Sequence, residues 1–96
     1  MTQTNKESLK LYKDICKVLG CRAKIRSITE NGFSFIPEKH SVQDAFCIIY
    51  KSNVDYHTMT LCDDGHNHYW IEVAASEIPY RVAKYWNGKK YVEYKD

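Results

Sequence analysis

Glycine and proline are scarce in this chain, at four and two of 96 residues. That excludes collagen-like and linker-like low-complexity classes, which need both in quantity. Long hydrophobic runs are also missing. The longest uncharged apolar stretch, Ala45–Tyr50, falls far short of the ~20 residues of a membrane-spanning helix, so no membrane partner is expected. The opening MTQTNKES holds no apolar segment of the secretory kind. The four cysteines therefore read as reduced thiols of a cytoplasmic protein. No glycine-rich phosphate loop is present, because the glycines stand apart from one another.

What is present suffices for a core. Apolar residues make up 44% and aromatics 14%, eight of them Tyr, a balance that opposes disorder. Residues 1–96 are expected to form a single small globular domain with a radius of gyration of roughly 12–13 Å.

The formal net charge of +2 hides a segregation. Residues 1–26 sum to +5, residues 27–79 to −6 and residues 80–96 to +3. If the two basic ends meet in the fold, they make one positive face suited to phosphates or an acidic protein surface. If they do not, the charges form a solvated mixed surface.

Local patterning predicts an α+β fold. One N-terminal helix over Lys6–Leu19 packs on a bent or partly closed antiparallel sheet of six or seven strands built from β-hairpins. In the helix, Leu9, Tyr12, Cys16 and Leu19 recur at helical spacing, with Ile15 and Val18 widening the stripe. Thr4 or Asn5 is the expected N-cap and Gly20 the left-handed stop. Asn31-Gly32, Asp64-Gly65 and Asn87-Gly88 read as two-residue type I′ turns, because both central residues there need positive φ. They separate strands at Arg22–Thr29 and Phe33–Ile36, Tyr56–Cys62 and Asn67–Ala74, and Tyr80–Trp86 and Lys90–Lys95. Pro79 marks a strand entry. Over Val42–Lys51 two signals compete. Ser41-x-x-Asp44 resembles a capping box, while Phe46–Tyr50 is rich in aromatic and β-branched residues. The expectation there is a strand from Phe46, preceded by one helical turn. Cys47, inside this run, is expected to be a small buried hydrophobe.

The densest polar cluster is Cys62-Asp63-Asp64-Gly65-His66-Asn67-His68. A two-residue turn there sets Met59 opposite Trp70, His57 opposite Glu72 and Leu61 opposite His68. Zinc would need Cys62, His66 and His68 with Cys16 or Cys21, but a loose pair plus a turn is weaker than two tight ligand pairs. A nucleophilic reading, with Cys62 beside His66 or His68, lacks an oxyanion hole and a cleft. No metal, no cofactor and no catalytic residue are expected, and no small-molecule substrate.

The last hairpin carries the other constellation. With Asn87-Gly88 as its turn, Trp86 faces Lys89, Lys84 faces Tyr91 and Tyr85 faces Lys90. Val92, Ala83, Tyr85 and Tyr94 then turn toward the core. Lys84, Trp86, Lys89, Lys90 and Tyr91 are the expected partner-binding patch, since Trp, Tyr and cations supply much of the energy of protein interfaces. The same residues also suit an ordinary hairpin, where aromatic pairs stabilise and Lys guards an edge.

The expected function is a non-enzymatic binding module that docks on a macromolecular partner, protein more than nucleic acid, and modulates or inhibits it. Phage and mobile-element inhibitors of host machinery are often lone domains of this size, an analogy of scale. The alternative is a nucleic-acid-binding module using the basic N-terminal helix and the basic, aromatic C-terminal hairpin.

Overall fold

The computed structural model describes residues 3–76, 78 and 80–95, with residues 3–5 as backbone only. In chain order the elements are α1 (Gln3–Leu19), β1 (Ala23–Ile28), β2 (Gly32–Pro37), α2 (Val42–Tyr50), β3 (Thr58–Asp63), β4 (Tyr69–Ala74), β5 (Val82–Trp86) and β6 (Tyr91–Glu93). The six strands form one sheet in the order β1-β2-β4-β3-β5-β6. All pairs are antiparallel except β3 with β5. The sheet is open, with β1 and β6 as its edges, rather than partly closed. The radius of gyration is 12.4 Å.

α1 buries Leu11, Ile15 and Leu19, one stripe at four-residue spacing, against β1 and β2. Leu9, placed on that stripe by periodicity, is instead 52% exposed, and Leu11 takes its place. The helix also starts earlier than expected, so Thr4 and Asn5 lie within its first turn and neither is its cap. Its end follows the sequence reading: Gly20 has φ +69° and its N–H bonds the Cys16 carbonyl at 2.9 Å, a left-handed stop. His40 Nε2–H adds a bond to the Leu19 carbonyl at 2.8 Å.

The segment after Val42 is a helix and not a strand. Ser41 Oγ accepts the Asp44 N–H at 3.1 Å, and Ala45, Phe46 and Ile49 form a fully buried face. Topology supplies the reason that β propensity lost. β4 sits between β2 and β3 and is antiparallel to both, so β2 and β3 run the same way. The chain must return along the sheet between them, and a helix covering the sheet does so while burying its own apolar side. Cys47 falls on the flank of α2 and is only half-buried; Cys62 is the buried cysteine.

The expected pairings β1–β2, β3–β4 and β5–β6 all form as antiparallel hairpins. The first and third turns are shifted by one residue from the expected dipeptides, and the second is longer. Thr29 N–H bonds the Gly32 carbonyl at 2.9 Å, and Gly32 is itself a strand residue opposite Ala74. Glycine is needed there for close approach, since any Cβ would overlap the Val73 carbonyl oxygen. Residues 64–68 form the second loop, with positive φ at Gly65 and Asn67. In the third, Asn87 Oδ1 accepts the N–H groups of Lys89 and Lys90 at 2.9 and 3.0 Å.

These loop lengths reset the register. Cys62 faces Trp70, Thr60 faces Glu72 and Met59 faces Val73. The expected Met59–Trp70 and His57–Glu72 pairs are therefore off by three residues, and an odd shift turns one strand over. His57 precedes β3, stacks on Tyr80 at 4.5 Å and donates to the Ile78 carbonyl at 3.2 Å. In the last hairpin Trp86 faces Tyr91 and Tyr85 faces Val92. That shift is two residues, so each side chain keeps its expected face. Pro79 lies outside the described residues.

Both helices pack on one face of the sheet. The core there joins Phe33, Phe35, Met59, Ile71, Val73 and Ala83 to the helix residues, with Tyr94 ring-packed on Phe46, Tyr50 and Tyr85. The loop from β4 to β5 passes the start of β3, where Arg81 N–H bonds the Tyr56 carbonyl at 3.0 Å. The Arg81 guanidinium reaches the Ser52 carbonyl at 2.6 Å and ties this loop to the end of α2.

Candidate docking surface

Among the described residues no helix packs on the second face of the sheet, and strand alternation decides what it displays. Residues paired directly across strands share a face, so the printed registers trace a row across all six strands. It runs Ser27, Ser34, Glu72, Thr60, Lys84 and Glu93. Beside this row lie the pairs Cys62–Trp70 and Trp86–Tyr91.

Each large side chain here has a specific neighbour. Arg26 is an extra residue in β1, at the irregularity between Ile25 and Ser27. The bulge re-aims its side chain, and the guanidinium carbon sits 4.1 Å above the Trp70 ring. Such a cation–π contact is worth about 0.5–1 kcal/mol at an exposed site. Trp86 and Tyr91 meet edge to face at 4.9 Å. Trp70 and Trp86 are half-buried and Tyr91 is 45% exposed, so ring surface remains in contact with solvent.

Between the tryptophans lies Cys62, at 1% exposure. Its thiol donates to Glu72 Oε2 at 3.2 Å. Burial pushes the thiol up to about 12, with the hydrogen-bonded Glu72 carboxylate adding to the effect. Partial desolvation likewise raises the Tyr91 hydroxyl to about 12, with the neighbouring Cys62 thiol adding to the effect. A thiol held neutral in this way is the opposite of an activated nucleophile. At the outer end of the row, the Ser27 and Ser34 hydroxyls are 2.6 Å apart, which satisfies Ser34 although it is buried.

Of the expected patch, Lys84, Trp86 and Tyr91 lie together on this face, while Lys89 and Lys90 sit at the exposed tip of the third turn. The sequence reading missed Arg26 and Trp70, which complete the aromatic and cationic band. The three-residue register error hid Trp70 by turning it toward Met59, and the bulge in β1 hid Arg26. The signal that would have corrected it is the two-aspartate start of the loop. Asp64 Oδ1 accepts the His66 N–H at 2.7 Å and Oδ2 the His68 Nδ1–H at 2.8 Å, an Asx-closed loop rather than a tight turn. These bonds, led by the His66 N–H, hold the Asp64 carboxyl below its ordinary range.

The polar cluster at the β3–β4 loop is thus divided. Cys62 belongs to the open sheet face, and His66 and His68 belong to an exposed loop. Among the described residues no three His, Cys, Asp or Glu side chains are grouped to hold a metal ion.

The charge segregation maps onto the sheet order. The basic N-terminal third reaches one end through α1 and β1, and the basic hairpin β5–β6 forms the other. Four strands separate the two edges. The edge strand β1 and the β5–β6 hairpin therefore do not adjoin within the sheet. No helix of the described residues is long and apolar enough to cross a membrane. Compared with protein families, curated proteins and solved structures, the chain has no match in any of the three.

Proposed function

We propose that this chain is a non-enzymatic binding module that docks a protein partner on the helix-free face of its sheet and thereby modulates or inhibits it. The observation that carries this reading is the band of Arg26, Trp70, Trp86 and Tyr91 on a sheet face that no helix covers. Tyr, Trp and Arg are the residues most enriched among interface hot spots. Six strands, five of them five to six residues long and β6 only three, span at most roughly 24 by 18 Å. That flat area of roughly 430 Å² is about half of the ≈800 Å² each partner contributes to a standard interface.

Charge separates a protein partner from a nucleic acid. Glu72 and Glu93 share the central row with Lys84, which opposes a phosphate backbone but suits the mixed charges of a protein surface. The Trp70 ring is already covered by Arg26, so it offers no bare platform for a base. The nucleic-acid reading also needs the basic helix and the terminal hairpin on one surface, and they lie at opposite ends of the sheet. The free thiols fit a reducing cytoplasm. An inhibitory role of the phage or mobile-element type remains an analogy of scale.

The test is affinity capture from nuclease-treated extract of the native host, with wild-type protein and a folded Trp86→Ala variant in parallel. A protein retained by the first and lost by the second supports the reading. Capture that nuclease abolishes, or that Trp86→Ala leaves intact, overturns it.

A further inference from the structure

The two edges of the sheet differ in a way that the open face does not explain. β6 has three residues and is flanked by Lys89, Lys90 and Lys95, a short, guarded edge of the usual kind. β1 has six residues, and every one after Ala23 is exposed. Ile28 is 79% exposed, and Ile25 beside it is exposed as well. Among the described residues no strand pairs with its outer side; the Ala23 carbonyl accepts the Tyr12 hydroxyl at 3.1 Å, and the exposed strand beyond it is left unpaired.

Charge restricts what can pair there. Residues 22–28 hold Arg22, Lys24 and Arg26 and no carboxylate. A second copy pairing antiparallel through β1 would set these cations against their own counterparts, and like charges directly opposed across strands destabilise pairing. The groups that repel self-pairing attract a strand of opposite charge. The bulge at Arg26 further blocks flat, indiscriminate addition.

We propose that β1 is an addition site for an acidic, extended segment of a partner protein, which would join as a seventh strand. Main-chain hydrogen bonds would supply the docking, as in other strand-addition complexes. Alternate carboxylates would meet Lys24 and Arg26, and apolar residues between them would cover Ile25 and Ile28. This edge shares Arg26 with the tryptophan band, and the Lys24→Glu and Trp86→Ala variants, which leave that residue in place, tell the two surfaces apart.

The probe is a seven-residue peptide alternating Glu and Val, with a Lys and Val peptide as control. Binding is followed by titration and by amide hydrogen exchange. The expected result is at least tenfold tighter binding of the acidic peptide, with slowed exchange confined to residues 23–28. Lys24→Glu leaves the Arg26–Trp70 stack in place and should weaken binding at least threefold. The Lys24→Glu, Arg26→Glu pair should abolish it, and Trp86→Ala should change it less than twofold. Equal binding of both peptides, no binding at millimolar peptide, protection elsewhere, or protection of β1 by self-association alone would each overturn the proposal.

Discussion

On the helix-covered face of the sheet, Phe33, Phe35, Met59, Ile71 and Val73 are at most 4% exposed. On the opposite face the large side chains, Trp70, Trp86 and Tyr91, stay half-buried or exposed, and the fully buried positions are the small Cys62 and Ser34. The covered face is apolar throughout, whereas the open face sets its rings beside a row of polar and charged residues. The covered face devotes its large residues to stability. The open face buries Ser34 and Cys62 and leaves the Trp70, Trp86 and Tyr91 rings in contact with solvent, which is the layout of a contact surface.

Substitutions that attack the covered face should have the largest effect on folding. Phe35→Ala removes a ring with no exposure and should cost about 3–5 kcal/mol in denaturant unfolding. A loss below about 1 kcal/mol would mean the core is not centred there. Gly32→Ala, next in size, forces a Cβ into the Val73 carbonyl. It should cost about 3 kcal/mol, the upper end of over-packing, and raise amide exchange along β2 and β4.

Trp86→Ala tests the contrast itself. On a half-buried ring the stability loss should stay near 1–2 kcal/mol, below the ~3–5 kcal/mol of a core aromatic. Partner affinity should fall by 2 kcal/mol or more if Trp86 is a hot spot. A stability loss as large as that of Phe35→Ala would erase the distinction between the faces. Ser41→Ala deletes the cap of α2 and should cost about 1 kcal/mol, seen as a lower melting temperature with the open face unchanged.

The smallest effect concerns pH. The Asp64 carboxyl is held below its ordinary range in the folded state, chiefly by the His66 N–H. Its contribution is therefore present above the usual carboxylate pKa of about 4 and lost as pH falls through the lower folded value. Protection of the His66 and His68 amides, taken relative to the intrinsic exchange rate at each pH, should fall on acidification while β2 and β4 remain protected. Loop amides that ignore pH would contradict the Asx closure.

The sequence made the hairpins legible because each is a local event: strand-forming residues flank a turn-forming dipeptide. The helix α1 and its glycine stop were readable for the same reason. The crossover through α2 was not, because β4 inserts between β2 and β3, and no local pattern announces that a return path is needed. The capping signal at Ser41 was present but was outweighed by the β propensity of Phe46–Tyr50. Register errors had opposite consequences for the site. The even shift at Asn87-Gly88 kept Lys84, Trp86 and Tyr91 on their expected face, whereas the odd shift at Asp64-Gly65 concealed Trp70. Arg26 was invisible because a bulge aims it, and bulges leave little trace in periodicity.

The most direct test of the docking surface is the equilibrium affinity of the captured protein for two folded double variants. One is Trp70→Ala with Trp86→Ala on the open sheet face; the other is Lys13→Glu with Lys17→Glu on the exposed side of α1. The account predicts a loss of about 100-fold or more for the tryptophan pair, as expected of two hot-spot residues. It predicts a change of less than about threefold for the lysine pair, as expected of peripheral charges. Unchanged affinity in the tryptophan pair, with binding abolished in the lysine pair, would contradict it and move the contact surface to α1.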